Sequence, residues 1–173
     1  MSNRQQLQTD RRTATRKGVV TINAAFLREI KEDNRELHQL LERTRYLTEP
    51  SLGRPLHANE VRGLVKLLSR LKDRLAMHFA LEEAYGYFED AVTAAPRLTV
   101  ESEMLRAEHG PLFIELCHIV EYSEPFLYRE AATVGVSELC TMFTAFHQRF
   151  YEHEQRETEL ILAAFDDDLG CGD

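Results

Sequence analysis

Residues 139–164 read LCTMFTAFHQRFYEHEQRETELILAA. Leu139, Phe143, Phe146, Phe150, Leu160 and Ala164 recur at steps that keep one face of an α-helix apolar. Two residues on that stripe do not belong in an apolar core. His153 and Glu157 sit one turn apart and point the same way.

The same pattern recurs upstream. One stripe carries Phe26, Ile30, Leu37 and Leu41, with His38 beside the last two. A second carries Leu64, Leu68, Leu71 and Leu75, followed by His78, Glu82 and Tyr85. A third carries Leu105, Leu112, Leu116 and Ile119 around His109. Turn signals separate the four segments: Glu49 to Pro55, Pro96, and the stretch from Glu124-Pro125 to Gly135. The periodicity predicts helices over about 21–47, 59–92, 99–123 and 137–165, with Asn59 as an N-cap. No strand-type alternation and no internal repeat competes with this reading. The expected fold is all-α, an antiparallel up-down four-helix bundle over 20–166, between a flexible basic arm at 1–19 and an acidic tail at 167–173.

Composition sets the outer limits. At 173 residues the chain has room for one hydrophobic core, and 43% apolar with 29% charged residues is a globular balance. No run approaches the ~20 apolar residues of a membrane span, and no apolar leader opens the chain, so the expected setting is cytoplasmic. Cys117, Cys140 and Cys171 lack paired spacing, which argues against a disulfide framework or zinc finger. Arg4, Arg11, Arg12, Arg16 and Lys17 against Asp10 make residues 1–17 net +4 in a chain of net −8. The remaining −12 argues against broad nucleic-acid binding, while the basic arm leaves a protein partner open.

Burying an unpaired carboxylate costs several kcal/mol, and Glu82 and Glu157 both fall on core stripes. Imidazoles could balance them only by becoming charged themselves. A metal resolves the conflict, because neutral imidazole nitrogens and carboxylate oxygens bind intermediate divalent ions such as iron. Two ions bridged by two carboxylates would use His38, His78, Glu82, His109, His153 and Glu157. Segment lengths test this. Glu82 to 92 and 99 to His109 both span ten residues, while His109 to 123 spans 14 and 137 to His153 spans 16. Those ligands fall at a common level in an antiparallel bundle. Helix 1 fits less well: His38 to 47 is nine residues and 59 to His78 is nineteen.

The motifs, in order, are Glu36-Leu37-His38, His78-x-x-x-Glu82, Glu108-His109 and His153-x-x-x-Glu157. Over about 20–166 this series resembles the hemerythrin-like (HHE cation-binding) family. The resemblance implies an oxo- or hydroxo-bridged pair of iron ions, His38 and His78 on one, His109 and His153 on the other, Glu82 and Glu157 bridging. Manganese or zinc in place of iron stays open. Oxygen-carrying hemerythrins have a second histidine where Phe113 stands and His-x-x-x-x-Asp on helix 4, so the series is closer to the branch with four histidines and two glutamates. That branch implies a protein that binds or senses dioxygen, nitric oxide, peroxide, or iron and redox state. Alternatives are an enzyme reducing peroxide or nitric oxide, iron donation to iron–sulfur centres, and a metal-free helical interaction module.

Other residues take the plainer reading. His57, His118 and His147 fall off the stripes and are read as non-ligands. Tyr85, one turn beyond Glu82, is either a core aromatic or a donor to a bound ligand. Phe79, Phe113, Phe146 and Phe150 are expected to wall the site, and Gly110-Pro111 to bend helix 3 or remove a backbone bond there.

Overall fold

The structure, a computed structural model, describes the backbone of residues 24–49, 56–84, 92–93, 95–128 and 133–170, and side chains only from 34 to 164 within those ranges, without 133 and 134. The arm at 1–19, Tyr85, the expected end of helix 2 through 85–91, the side chains of Phe26 and Ile30, and tail residues 171–173 lie outside the described residues. Within them the chain is all-α, with four long helices and no strand. These are α1 (Ala24–Thr48), α2 (Ala58–Ala84), α3 (Thr99–Ser123) and α4 (Thr133–Gly170). Among the described residues no helix is long and apolar enough to cross a membrane.

The helix ends differ from expectation for local reasons. α2 starts at Ala58 because the Glu60 carboxylate reaches back 2.8 Å to the backbone N–H of His57, which is half of a capping box. Asn59 instead accepts a bond from Arg62 at 2.6 Å. α3 follows a 3-10 turn, Pro96–Leu98, whose proline needs no amide partner, and it passes Pro111 without interruption. A second 3-10 turn, Glu124–Leu127, ends α3 where Pro125 was expected to. α4 begins before Gly135 rather than after it. That glycine is a point of close approach, since a Cβ there would lie 3.1 Å from Phe126 Cζ. α4 also runs on to Gly170, taking in residues 167–170 of the expected tail.

α1 packs on α2, α2 on α3, α3 on α4, and α4 back on α1. The main apolar cluster joins Leu37 and Leu41 of α1, the α2 leucines 64, 68, 71 and 75, Leu116 and Ile119 of α3, and Leu139, Phe143, Phe146 and Phe150 of α4. A smaller cluster forms beyond it from Ala95, Leu98, Leu105, Leu160 and Ala164. Along α3 and α4 the polar stripe residues fall between the two clusters. His109 lies between Leu105 and Leu112, and His153 and Glu157 lie between Phe150 and Leu160.

Ordinary buried hydroxyls in this core are satisfied by the helix itself. Thr44 Oγ1 donates to the Leu40 carbonyl at 2.8 Å, and Ser123 Oγ to the Val120 carbonyl at 2.7 Å. Phe146 is fully buried in the main cluster, so Phe146→Ala should cost about 3–5 kcal/mol in urea unfolding. Met104→Ala on the exposed face of α3 should stay within about 0.5 kcal/mol. Equal losses at the two sites would contradict the assigned core.

Candidate metal centre

Five of the six expected ligands are buried together: His78, Glu82, His109, His153 and Glu157 are each at most 8% exposed. α4 supplies a buried pair one turn apart, with His153 Nε2 3.0 Å from Glu157 Oε1. α2 supplies the matching pair, His78 Nε2 to Glu82 Oε1 at 3.1 Å. α3 inserts His109 between them, its Nε2 3.5 Å from Glu157 Oε1 and 3.6 Å from Glu82 Oε2. Donor atoms that share one ion at about 2.1 Å lie roughly 3–3.6 Å apart, so this spacing suits a cation.

The sixth residue lies apart from the inward face expected for it. His38 does not join the buried set on the inward face: its side chain is 56% exposed, and its Nε2 lies 3.5 Å from Glu154 Oε1. Leu37 takes the buried position instead. A side chain one residue further along a helix is turned by about 100°, which carries His38 to the α1–α4 seam. It still lines a cleft of about 380 Å³ with Asn34, His78, Glu82, Glu154 and Glu157. Burial, and then the neighbouring His78, hold its pKa below the ordinary histidine value against the pull of Glu42. His57 and His118 are exposed, and His147 is half-buried beside Phe143.

The imidazoles are oriented from behind. His109 Nδ1 faces Glu83 Oε1 at 3.2 Å, and His153 Nδ1 faces Glu108 Oε2 at 3.0 Å. An ionised carboxylate only accepts, so each Nδ1 carries the donated proton and each Nε2 is left turned toward the centre. Arg156 in turn grips Glu108, with Nη1 2.8 Å from Oε1, and helps hold its carboxyl below the usual range. Phe79 stacks on the His109 ring at 4.2 Å and meets His153 edge-on at 6.0 Å. Phe150 meets His78 edge-on at 6.3 Å, and Phe146 stacks behind Phe150, while Phe113 is only partly buried.

Glu83 and Glu154 went unread in the sequence, and Glu108 was read only as part of a motif. The available signal was adjacency: each stands directly beside a stripe ligand, in Glu82-Glu83, Glu108-His109 and His153-Glu154. One residue off a core stripe is where a seam with the next helix begins.

Among the described residues, two buried atoms of the centre find no hydrogen-bond partner. Glu82 Oε2 and His153 Nε2 have no hydrogen-bond partner, even though His153 Nε2 lies so near Glu157. The core hydroxyls find partners and these two atoms do not, which fits donors aimed at a common cation. His109, His153 and Glu157 form a buried group that could hold a metal ion.

Compared with known proteins, the chain matches no family model, no curated protein and no solved structure. Fold and site by themselves define an all-α chain with a buried His/Glu group suited to a metal ion.

Burial pushes the Glu157 carboxyl up, but His109 and His153 beside it outweigh that and bring it down to about 2. His153 is likewise lowered by burial and raised by more from Glu157 and Glu108. Glu154 goes the other way. Burial, with the like charges of Glu157 and Glu82, raises it to about 7 despite His78 and His153. A raised carboxyl costs stability as it ionises, so its penalty is absent below its ordinary 4.5 and complete above 7. In chelator-treated protein, Glu154→Gln should therefore gain on wild type as pH rises from 4.5 through 7, by up to about 3 kcal/mol. Urea unfolding across that range checks it, and a pH-independent difference would contradict it.

Proposed function

We propose that this chain is a non-haem di-iron protein of the hemerythrin-like kind, and that it binds or senses dioxygen, nitric oxide, peroxide, or the surrounding iron and redox state. The observation that carries the reading is Glu157 Oε1 placed between the Nε2 atoms of His109 and His153, each ring held from behind by an outer carboxylate. That arrangement suits a ligand set, because both inward nitrogens converge on one carboxylate oxygen and His153 Nε2 finds no hydrogen bond among the described residues.

The helices are proposed to run antiparallel, up and down. Support comes from cross-helix pairs: Glu115 meets Arg149 and Glu108 meets Arg156, so a step forward on α3 is a step back on α4. Within that frame His109 and His153 would serve one iron and His78 with His38 the other, with Glu82 and Glu157 between them. The donor set, imidazole with carboxylate and no thiolate, is compatible with iron, as it is with manganese or zinc. A pair of irons so held supplies open coordination positions and a change of oxidation state to a small ligand.

The chain's own residues do the rest. Glu82 and Glu157 neutralise the cations inside the bundle, Glu83 and Glu108 fix the imidazole tautomers, and Phe79, Phe146 and Phe150 keep bulk water from the inner side. Because Glu157 and Glu108 keep a proton on His153, a cation must displace it, so loading should release protons and weaken as pH falls.

Protein purified without added metal should contain about two irons per chain, with near-ultraviolet absorption that disappears in a Glu82→Ala, Glu157→Ala double variant. Anaerobic addition of nitric oxide to the reduced protein should change that spectrum. A folded protein without stoichiometric metal would instead favour a metal-free helical interaction module.

A further inference from the structure

We infer that Glu154 is a seventh metal ligand and, with His38, completes an outer ion position that opens to solvent; this rests on the di-metal reading above. Glu154 is the acidic side chain of the α1–α4 seam, 21% exposed, with its Oε1 3.5 Å from His38 Nε2. Both line the cleft that His78, Glu82 and Glu157 face from the inside.

The surroundings of Glu154 set it apart from four carboxylates that hold an arginine, and it is less exposed than Glu83, which like it meets a histidine. Glu36 has Arg74, Glu42 has Arg45, Glu108 has Arg156 and Glu115 has Arg149. Among the described residues, the sole side chain within ion-pair distance of Glu154 is His38, and Glu157 and Glu82 add further negative charge around it. A mostly buried carboxylate beside two others, with no guanidinium or ammonium to balance it, is a place for a cation. The same cleft holds an independent sign of a ligand: Glu82 is 8% exposed, and its Oε2 has no hydrogen bond among the described residues.

The donors then divide by access. His109 and His153 lie outside the cleft lining and, with Glu157 at its floor, form the inner position. His38, Glu154, His78 and Glu82 form the outer one, two of them at the cleft mouth and two at its floor. Two positions that differ in burial and in ligand mobility bind unequally, so the ions load in order, inner first, and the outer one exchanges with solution.

The test is titration of metal-free protein with Co(II), whose visible bands report its donors, with bound metal counted by mass spectrometry. Wild type should take two ions in distinguishable steps. Glu154→Gln, which keeps size and shape, should bind the first ion as wild type does and the second at least about 10-fold more weakly. His38→Ala should weaken the same step, and the double variant should do little more, because the outer position is already incomplete. Unchanged first-ion affinity and circular dichroism show that the variant is folded. Two wild-type steps in Glu154→Gln, with an unaltered second-ion spectrum, would overturn the role of Glu154 and leave the di-metal reading standing. Equal weakening of both steps would overturn the division into inner and outer positions. A wild-type protein that takes no Co(II) would overturn both readings.

Discussion

The structure depends on one electrostatic constraint: two carboxylates, Glu82 and Glu157, lie in the interior of a helical assembly. Moving a carboxylate from water into a protein interior costs several kcal/mol unless positive charge and hydrogen bonds replace the lost hydration. No arginine or lysine reaches either one among the described ion pairs. Their neighbours are His78, His109 and His153, which can be charged or neutral according to what else is bound. The apolar clusters on either side make the problem harder and the solution more specific. They remove the water that would otherwise screen the site, so each uncompensated charge is felt at close to full strength.

Charge alternates outward from that centre. Glu157 meets His153, His153 meets Glu108, and Glu108 meets Arg156 at the surface. The corresponding line through His109 ends at Glu83, whose side chain is half-exposed. The two rings are therefore held with unequal firmness. An arginine fork fixes the Glu108 carboxylate in plane and in charge, while Glu83 can exchange its contact for water. Ring orientation on the His109 side relies more on packing, and Phe79 lying flat against the imidazole supplies it. The same geometric task, keeping an Nε2 aimed inward, is met by electrostatics on one helix and by stacking on the other.

How far the sequence revealed this depends on where each residue sits relative to its helix stripe. His153 and Glu157 fall on a stripe with apolar residues on both sides, so their burial follows from the period alone. The four-helix organisation follows for the same reason, since Leu64 to Leu75 and Phe143 to Phe150 cannot face water. Helix ends were less legible because they depend on single contacts. Glu60 reaching His57 moves the start of α2, and the fit of Gly135 against Phe126 keeps as helix a residue that reads as a breaker. The outer carboxylates were hidden by a different limit. Glu83, Glu108 and Glu154 look like ordinary solvated acids until the neighbouring helix is in place, and a seam is a property of two helices rather than of one.

His38 shows where periodicity and chain geometry disagree. Its sequence neighbours make it look like a core ligand, but the lengths of the first two segments never placed it level with His78. The structure brings His38 level with His78 in one cleft after all, but turns it off the core face, burying Leu37 and leaving His38 at the seam. The consequence reaches beyond one residue. Three helices build the buried centre from on-stripe side chains, and α1 contributes only a half-open histidine at its edge. Among the described residues, the wall facing α1 is thus reached from solution through the cleft lined by His38 and Glu154. A centre sealed all round could store a cation but could neither admit a small ligand nor report on its surroundings. On the di-metal reading, the misfit of the first helix would give this bundle a route for exchange without breaking the packing around the buried histidines.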